Sequence, residues 1–403
     1  LKRVAITGMG CVTPLGTGVE DFEQNLFAGR DGFHPIPDVP AGELRFSLTA
    51  QVLHFDSSAS LTAEQAQLSE RSSRFALAAA REAIQQSGVL AAIDRSRVAT
   101  VLGCSTGGRS AEEPETAKLY LQKSRVHPLT VPRAMASAGT SLVCIEHGIT
   151  GPAFTVSTAC SSATHAIGQA FHMVRSGMVE AAITGGHEAP LTYGFLKAWD
   201  SLRVVSSTRC RPFAHDRDGM TLGEGSAILV LEDMEAAVAR GAEILGEIVG
   251  FGMSCDAGHM TQPKPEGPAA AMTMALRDCG DLRARVEYIN AHGTGTVAND
   301  AAEAAAIRSV FGVDARDIAV SSTKSMHGHA MGASGAMEAL ATVAALRRGL
   351  LPINAGIECA DPALGIDVVI AESRPKHASM ALSNSFAFGG LNAVLAFRPY
   401  EAS

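Results

Sequence analysis

Strand-like and helix-like runs alternate along this chain from one end to the other. Short runs rich in apolar and β-branched residues at 4–7, 98–103, 153–156, 181–185, 226–232, 286–290, 319–322 and 394–397 read as strands. Helix-like stretches fall at 72–86, 162–175, 234–240, 268–278, 300–310 and 334–347. This alternation predicts an α/β protein with mostly parallel sheets, because parallel strands need a crossover that a helix supplies. The 403 residues, 46% of them hydrophobic, are enough for one large α/β body or for two or three domains. Only 5% are aromatic while 40 are glycine, which favours tightly packed helices and close backbone approaches over a bulky aromatic core.

Charge and cysteine usage narrow the function. A net charge of −8 gives no reason to expect nucleic-acid binding. No run of about 18 consecutive apolar residues is present, so no membrane span is expected. The start, Leu1-Lys2-Arg3-Val4-Ala5-Ile6-Thr7, enters a strand-like run too short for the apolar core of a signal peptide, and no leader is expected. The 8 cysteines are scattered with no CxxC pair, unlike a disulfide framework or a zinc ribbon. A reducing, cytoplasmic setting is the expectation.

The stretch 162–175 begins Ser162-Ala163-Thr164-His165-Ala166-Ile167-Gly168, small and almost uncharged, as suits a helix buried on all sides. Around 234–248 a charged helix gives way to a new β-rich run, and a boundary between two units is placed there, 1–247 and 248–403. No repeat is visible between them. Residues 34–65, with prolines and no clear period, read as an excursion from the core.

Two motifs imitate familiar sites. Gly8-Met9-Gly10 follows a strand as a dinucleotide fingerprint would, but the third glycine is replaced by Thr13, with Pro14 next. Gly103-Cys104-Ser105-Thr106-Gly107 fits a nucleophile elbow, which would make Ser105 the nucleophile of an acyl hydrolase. Such an elbow wants a helix immediately after it, and Gly108 to Pro114 starts one poorly.

Three further motifs make sense only together: Ser157-Thr158-Ala159-Cys160-Ser161-Ser162, Asn290-Ala291-His292-Gly293-Thr294-Gly295-Thr296 and Lys324-Ser325-Met326-His327-Gly328-His329. Cys160 lies where a strand-like run meets the buried helix, so the helix dipole should lower its pKa and favour the thiolate, the form that attacks a thioester. His292 stands just past a strand end, a common position for catalytic side chains in α/β folds. His329 lies in a glycine-bracketed loop. Lys324 has almost no other charge nearby, and a charge in such surroundings needs a partner. Glu338, inside an Ala/Gly-rich helix, is that partner. His327 reads as a bystander, and its spacing to His329 is a weak metal signal without accompanying carboxylates or thiols. No metal is expected.

With these motifs in order and nearly end to end, the chain resembles the β-ketoacyl-[acyl carrier protein] synthases, in particular the elongating branch with a Cys-His-His-Lys site and its nodulation-type and polyketide-type members. The resemblance implies the thiolase fold: two similar halves, stacked mixed β-sheets and helices in αβαβα layers, with the site at their junction. It implies that Cys160 holds the acyl chain and that His292 and His329 stabilise the enolate formed as a malonyl unit loses carbon dioxide. Lys324 with Glu338 sets the electrostatics around the two rings. Thr294 and Thr296 match threonines that bind the pantetheine arm, and Thr106 is placed along the acyl pocket. In Phe386-Ala387-Phe388-Gly389-Gly390 the amide of Phe388 joins that of Cys160 in an oxyanion hole, while the Phe386–Phe388 segment gates the acyl pocket. The family's next residues are Thr-Asn, whereas here they are Leu391-Asn392, so the hydrogen bonding of this loop is in question. Acyl carrier protein is the implied partner, with Lys123, Arg125, Arg71, Arg74 and Arg203 as candidate docking cations. A homodimer, or a heterodimer with a related subunit, is also implied. No cofactor is required by the protein, since the phosphopantetheine arrives on the carrier. The rival to an enzyme is a non-catalytic subunit of the chain-length-factor type, which shares the fold but lacks the nucleophile.

Overall fold

A computed structural model describes residues 1–37, 39–40, 42–56 and 61–401. The main sheet strands are β1 (Val4–Thr13), β2 (Val98–Gly103), β3 (Ala153–Val156), β4 (Ala181–Glu188), β5 (Gly225–Asp233), β6 (Gly246–Cys255), β7 (Val286–Asn290), β8 (Ala319–Ser321), β9 (Met380–Ala387) and β10 (Leu391–Arg398). In space the first five run β3-β2-β4-β5-β1 and the last five β8-β7-β9-β10-β6. Counted within each set, both orders are third, second, fourth, fifth, first. A repeat that the residues themselves do not display is therefore present in the topology. The sets meet where Val4–Ile6 of β1 runs antiparallel to Gly246–Ile248 of β6.

The sheets are mixed rather than mostly parallel. In each set four strands run one way and one, β5 or β10, runs against them, so two of the four pairings are parallel and two antiparallel. The reason is plainest in the second set, where β9 and β10 are joined only by Phe388-Gly389-Gly390. A connection that short can only reverse the chain.

The principal helices are α1 (Arg71–Ser87), α2 (Arg109–Gln122), α3 (Ser162–Arg175), α4 (Tyr193–Leu202), α5 (Glu266–Asp278), α6 (Val297–Phe311) and α7 (Ser334–Arg348). Helices α3 and α7 pack on each other and on strands of both sets, forming the middle layer. Helix α1 covers β1 and β5 on one outer face, and α5 covers β6 and β10 on the other, with α6 beside it. Every residue of α7 from Ser334 to Leu346 is buried, as is α3 from Ser162 to Gly168. Small side chains allow this approach. A Cβ on Gly335 of α7 would fall 1.9 Å from Thr164 Oγ1 of α3.

Gly8 and Gly10 have a packing role. A Cβ at either would lie 2.1 Å from a carbonyl oxygen of α1, that of Ala83 or Ala79. The elbow-like segment behaves differently from expectation, because helix α2 does begin at Arg109, with Pro114 inside it. The proline is tolerated close to the helix start, where it removes one bond, to the Ser110 carbonyl. Residues 34–65 include a small ribbon, Phe33–Pro35 against Leu48–Ala50, and a short helix, Ala63–Leu68. Residues 38, 41 and 57–60 of that excursion lie outside the described residues.

Candidate active site

Strand β3 leads into a tight turn that presents Cys160 at the start of α3. Ala159 takes a φ of 51°, a left-handed conformation costly for a residue with a side chain. The turn is held by its own serines: Ser161 Oγ donates to the Thr158 carbonyl at 2.8 Å and Ser162 Oγ to the Ala159 carbonyl at 2.6 Å. Cys160 is only 7% exposed. Burial pushes its thiol up to about 11, against the opposing pull of the Lys324 charge and of the Phe388 and Cys160 amides. The helix start was expected to lower this value. Desolvation of the sulfur outweighs the helix end.

Strand β7 delivers His292, whose amide and that of Gly293 donate to Glu303 of α6 at 2.9 and 2.8 Å. Asn384 adds a third donor at 3.1 Å, yet burial still pushes the Glu303 carboxyl up to about 7. Lys324 is fully enclosed. Its ammonium pairs with Glu338, donates to the His292 carbonyl at 2.7 Å and lies 3.3 Å from His292 Nδ1. An ammonium has only donors, so Nδ1 accepts and the ring proton sits on Nε2. His329 places Nδ1 2.8 Å from Ser334 Oγ and leaves a buried Nε2 with no partner among the described residues. The two rings meet edge to face, centroids 5.5 Å apart. Burial first, then the nearby Lys324 charge, holds both imidazoles well below the usual histidine range, so both are neutral at pH 7.

His327 is enclosed but turned away from this chemistry. Its Nδ1 lies 2.9 Å from the Gly328 carbonyl and its Nε2 2.8 Å from Thr323 Oγ1. No cluster of metal-binding side chains occurs among the described residues.

Cys160, His292 and His329 line one cavity together with Thr294, Thr296, Phe386 and Phe388. The Thr294 and Thr296 hydroxyls lie 2.9 Å apart, and Thr296 also caps α6. Phe388 stacks on Trp199 of α4 with ring centroids 5.7 Å apart. The turn bearing Phe388 does not need a hydroxyl at 391. Asn392 Nδ2 donates to Asp256 at 2.7 Å and to the Gly390 carbonyl at 3.1 Å, and the Gly389 amide donates to the Met260 carbonyl at 2.7 Å. Thr106 is not among the residues lining this cavity, because its amide and hydroxyl both donate to Glu188. Ser105 is occupied in the same way, bonded to Glu188 and the Gly332 amide with no imidazole among its partners, which removes the triad a serine hydrolase would need.

Residues 1–237 match the β-ketoacyl synthase N-terminal domain and residues 245–358 the C-terminal domain. The chain belongs to the β-ketoacyl synthase family. It is 40% identical to the 3-oxoacyl-[acyl-carrier-protein] synthase 2 of Synechocystis sp., with 99% of each chain covered. It is also 40% identical to nodulation protein E of Rhizobium sp. strain N33, over 98% of this chain and 99% of that one. Among solved structures, the ishigamide ketosynthase/chain length factor matches with a TM-score of 0.95 at 32% identity, covering 99% of this chain and 100% of that one.

Sequence reasoning missed several parts of this β-ketoacyl synthase site. Glu303 could have been found by the argument applied to Glu338, since it too lies among alanines in a helix. Glu188 and Ser334 had no comparable signal, and Trp199 reaches the site only through the tertiary placement of α4. Of the cations expected to dock a carrier, Arg71 is bound to Glu224 at 2.7 and 2.6 Å. Arg74 donates to the carbonyls of Ala66 and Ser69. Lys123, Arg125 and Arg203 are exposed, and Arg203 adjoins Val204 in the cavity wall.

Proposed function

We propose that this chain is a 3-oxoacyl-[acyl-carrier-protein] synthase, an acyltransferase working through two half-reactions. In the first, the Cys160 sulfur attacks the thioester carbonyl of an acyl carrier protein. The resulting oxyanion is received by the amides of Cys160 and Phe388, and the carrier thiol departs with the proton that the cysteine gave up. In the second, a malonyl carrier enters past Thr294 and Thr296. Its thioester oxygen accepts hydrogen bonds from Nε2 of His292 and of His329 as the carboxylate leaves as carbon dioxide. The enolate carbon then attacks the Cys160 thioester carbonyl and its carbon–sulfur bond breaks, releasing a β-ketoacyl carrier two carbons longer and a Cys160 thiolate that takes up one proton from solvent.

The observation that carries this reading is the Lys324 contact with His292 Nδ1, which makes Nε2 a hydrogen-bond donor in the cavity that holds the thiol. Neutral rings suit this role, since they stabilise an enolate without surrendering a proton to it. No resident cofactor or metal enters the scheme. Acyl carrier protein is the proposed partner, with the exposed Arg203, next in sequence to Val204 of the cavity wall, as a candidate docking cation, and a second copy or a related ketosynthase-like chain is the proposed companion subunit. Eight free thiols favour a reducing cytoplasm.

The test is direct. With acyl and malonyl carrier proteins, mass spectrometry should detect a product two carbons longer, and Cys160→Ala should abolish it. Competition between saturated and unsaturated primers assigns the acyl class, whether fatty-acid or specialised polyene, polyketide or nodulation-type. A chain that neither takes up an acyl group nor reacts with iodoacetamide at Cys160 would be a scaffold subunit. Ser105→Ala should keep most of the condensing activity, whereas a serine hydrolase would lose everything.

A further inference from the structure

Glu188 closes strand β4, is fully enclosed, and has no ion-pair partner among the described residues. Its two oxygens take donors from two separate segments. Oε2 accepts from the Ser105 amide at 2.8 Å, the Ser105 hydroxyl at 2.6 Å and the Gly332 amide at 3.1 Å. Oε1 accepts from the Thr106 amide at 3.1 Å, the Thr106 hydroxyl and the Cys104 thiol at 3.5 Å. The Ser105 hydroxyl also accepts from the Gly332 amide at 3.2 Å.

These segments come from opposite halves. The Cys104–Thr106 turn follows β2, which lies so close to α3 that a Cβ on Gly103 would sit 2.3 Å from the Ala163 amide. Cys160 stands three residues before Ala163. On the other side, Gly332 comes three residues after His329 and two before Ser334, which fixes the His329 ring. Met331 between them holds a φ of 45°. Such strain persists only where the surroundings over-determine it. A Cβ on Gly332 would fall 2.7 Å from Glu188 Oε2 and 2.6 Å from the Ser105 amide, so the contact tolerates no side chain.

We propose that Glu188 is a positioning residue for the condensation step, a carboxylate clamp that fixes the His329 segment of one half against the Cys160 segment of the other. This rests on the condensing-enzyme reading above. The clamp also has an electrostatic consequence. The Glu188 charge adds to burial in raising the Cys160 thiol, while Lys324 and the Phe388 and Cys160 amides oppose it. The remaining titratable groups at the sulfur are the neutral His292 and His329 rings. Those nearest the carboxylate are Cys104 and His187, whose ring meets Ser72.

The test uses Glu188→Gln and Glu188→Asp in the full chain. Glutamine keeps the size but removes the charge and turns one acceptor into a donor. Aspartate keeps the charge but is one methylene too short to hold both segments. Single-turnover acyl transfer to Cys160, condensation with malonyl carrier protein and the pH profile of iodoacetamide alkylation are each measured. In both variants condensation should fall by about tenfold or more relative to acyl transfer, as expected when a reacting group is misplaced by a fraction of an ångström. The alkylation midpoint should move to lower pH in the glutamine variant and stay in place in the aspartate variant. Should glutamine prevent folding, the aspartate variant alone decides the ratio. A ratio unchanged from wild type, with only the melting temperature lowered, would overturn the clamp. A wild-type protein that accepts no acyl group would sink the condensing-enzyme reading itself, so the two failures are distinct.

Discussion

Lys324 and Glu338 form a fully buried ion pair in the middle layer, fourteen residues apart in sequence and joined through the first turn of α7. Burying two charges costs several kcal/mol each, which their attraction offsets only when geometry and further hydrogen bonds are good. Lys324 has both, through the His292 carbonyl and Nδ1. Replacing it by alanine should slow malonyl decarboxylation on the order of a hundredfold, the scale of losing one electrostatic stabiliser. Acyl transfer to Cys160 should fall much less. Glu338 would be left unpaired, so the single variant should also lose stability, by about 3–5 kcal/mol. Lys324→Ala with Glu338→Gln should recover that stability in urea unfolding and none of the carbon dioxide release. Full activity in the single variant would remove the lysine from the mechanism. His327 gives a second prediction. Burial lowers its pKa from 6.5 to about 3. Above pH 6.5 neither state protonates the ring. Below it the unfolded chain binds a proton the native state refuses, so stability falls as pH falls, by about 1.4 kcal/mol per unit, until the native ring titrates. His327→Asn should remove this ring's share of the slope and leave that of His292 and His329. Between pH 7 and pH 5 the wild type should lose about 2 kcal/mol more than the variant.

At the scale of elements, the β9–β10 hairpin shows which parts of the site were legible in the sequence. The alternating runs located all eight of the strands named from sequence, and the small residues of α3 announced a helix buried all round. A charged residue in an apolar helix was enough to pair Lys324 with Glu338. The mixed direction of the sheet came from the family resemblance and not from the alternation, because strand β9 was not recognised and the turn Phe388-Gly389-Gly390 was read only as a motif. The elevated thiol value was hidden too, since the helix start is written in the sequence while Cys160 is enclosed by groups far from it in the chain, His292, His329 and the Phe386–Phe388 segment among them. The leucine at 391 looked like a defect in this loop, yet the hydrogen bonds run through Asn392, Asp256 and the backbone. Leu391→Thr should therefore change single-turnover acylation of Cys160 by less than about threefold, under 1 kcal/mol of barrier. Asn392→Ala, which frees the Asp256 carboxylate and loosens the turn carrying the Phe388 amide, should slow it about tenfold. The reverse order would place the loop's support at residue 391.

For the whole molecule, the order of strands leaves β3 at one end of the sheet, bonded to β2 on one side only. An edge strand offers a row of free amides and carbonyls to any other strand, and folded proteins usually blunt it with charge, proline or cover. Here Ala153-Phe154-Thr155-Val156 carries none of these, and Phe154 is 42% exposed. Leu121 and Tyr120 of α2, Val131 and Ile145 are exposed as well, at 82%, 68%, 73% and 71%. A second chain, identical or related, adding its own β3 antiparallel to this one would cover the edge. The consequence would reach the chemistry, since Cys160 follows β3 by four residues through a turn strained at Ala159. A lysine at the edge is the residue type that opposes such pairing. With the companion subunit of the proposed function docked on this edge, Phe154→Lys should shift the protein from dimer to monomer in sedimentation velocity and lower its condensation rate, while leaving the far-ultraviolet circular dichroism of the chain unchanged. A variant that remains dimeric and fully active would mean that β3 is not where the second chain docks.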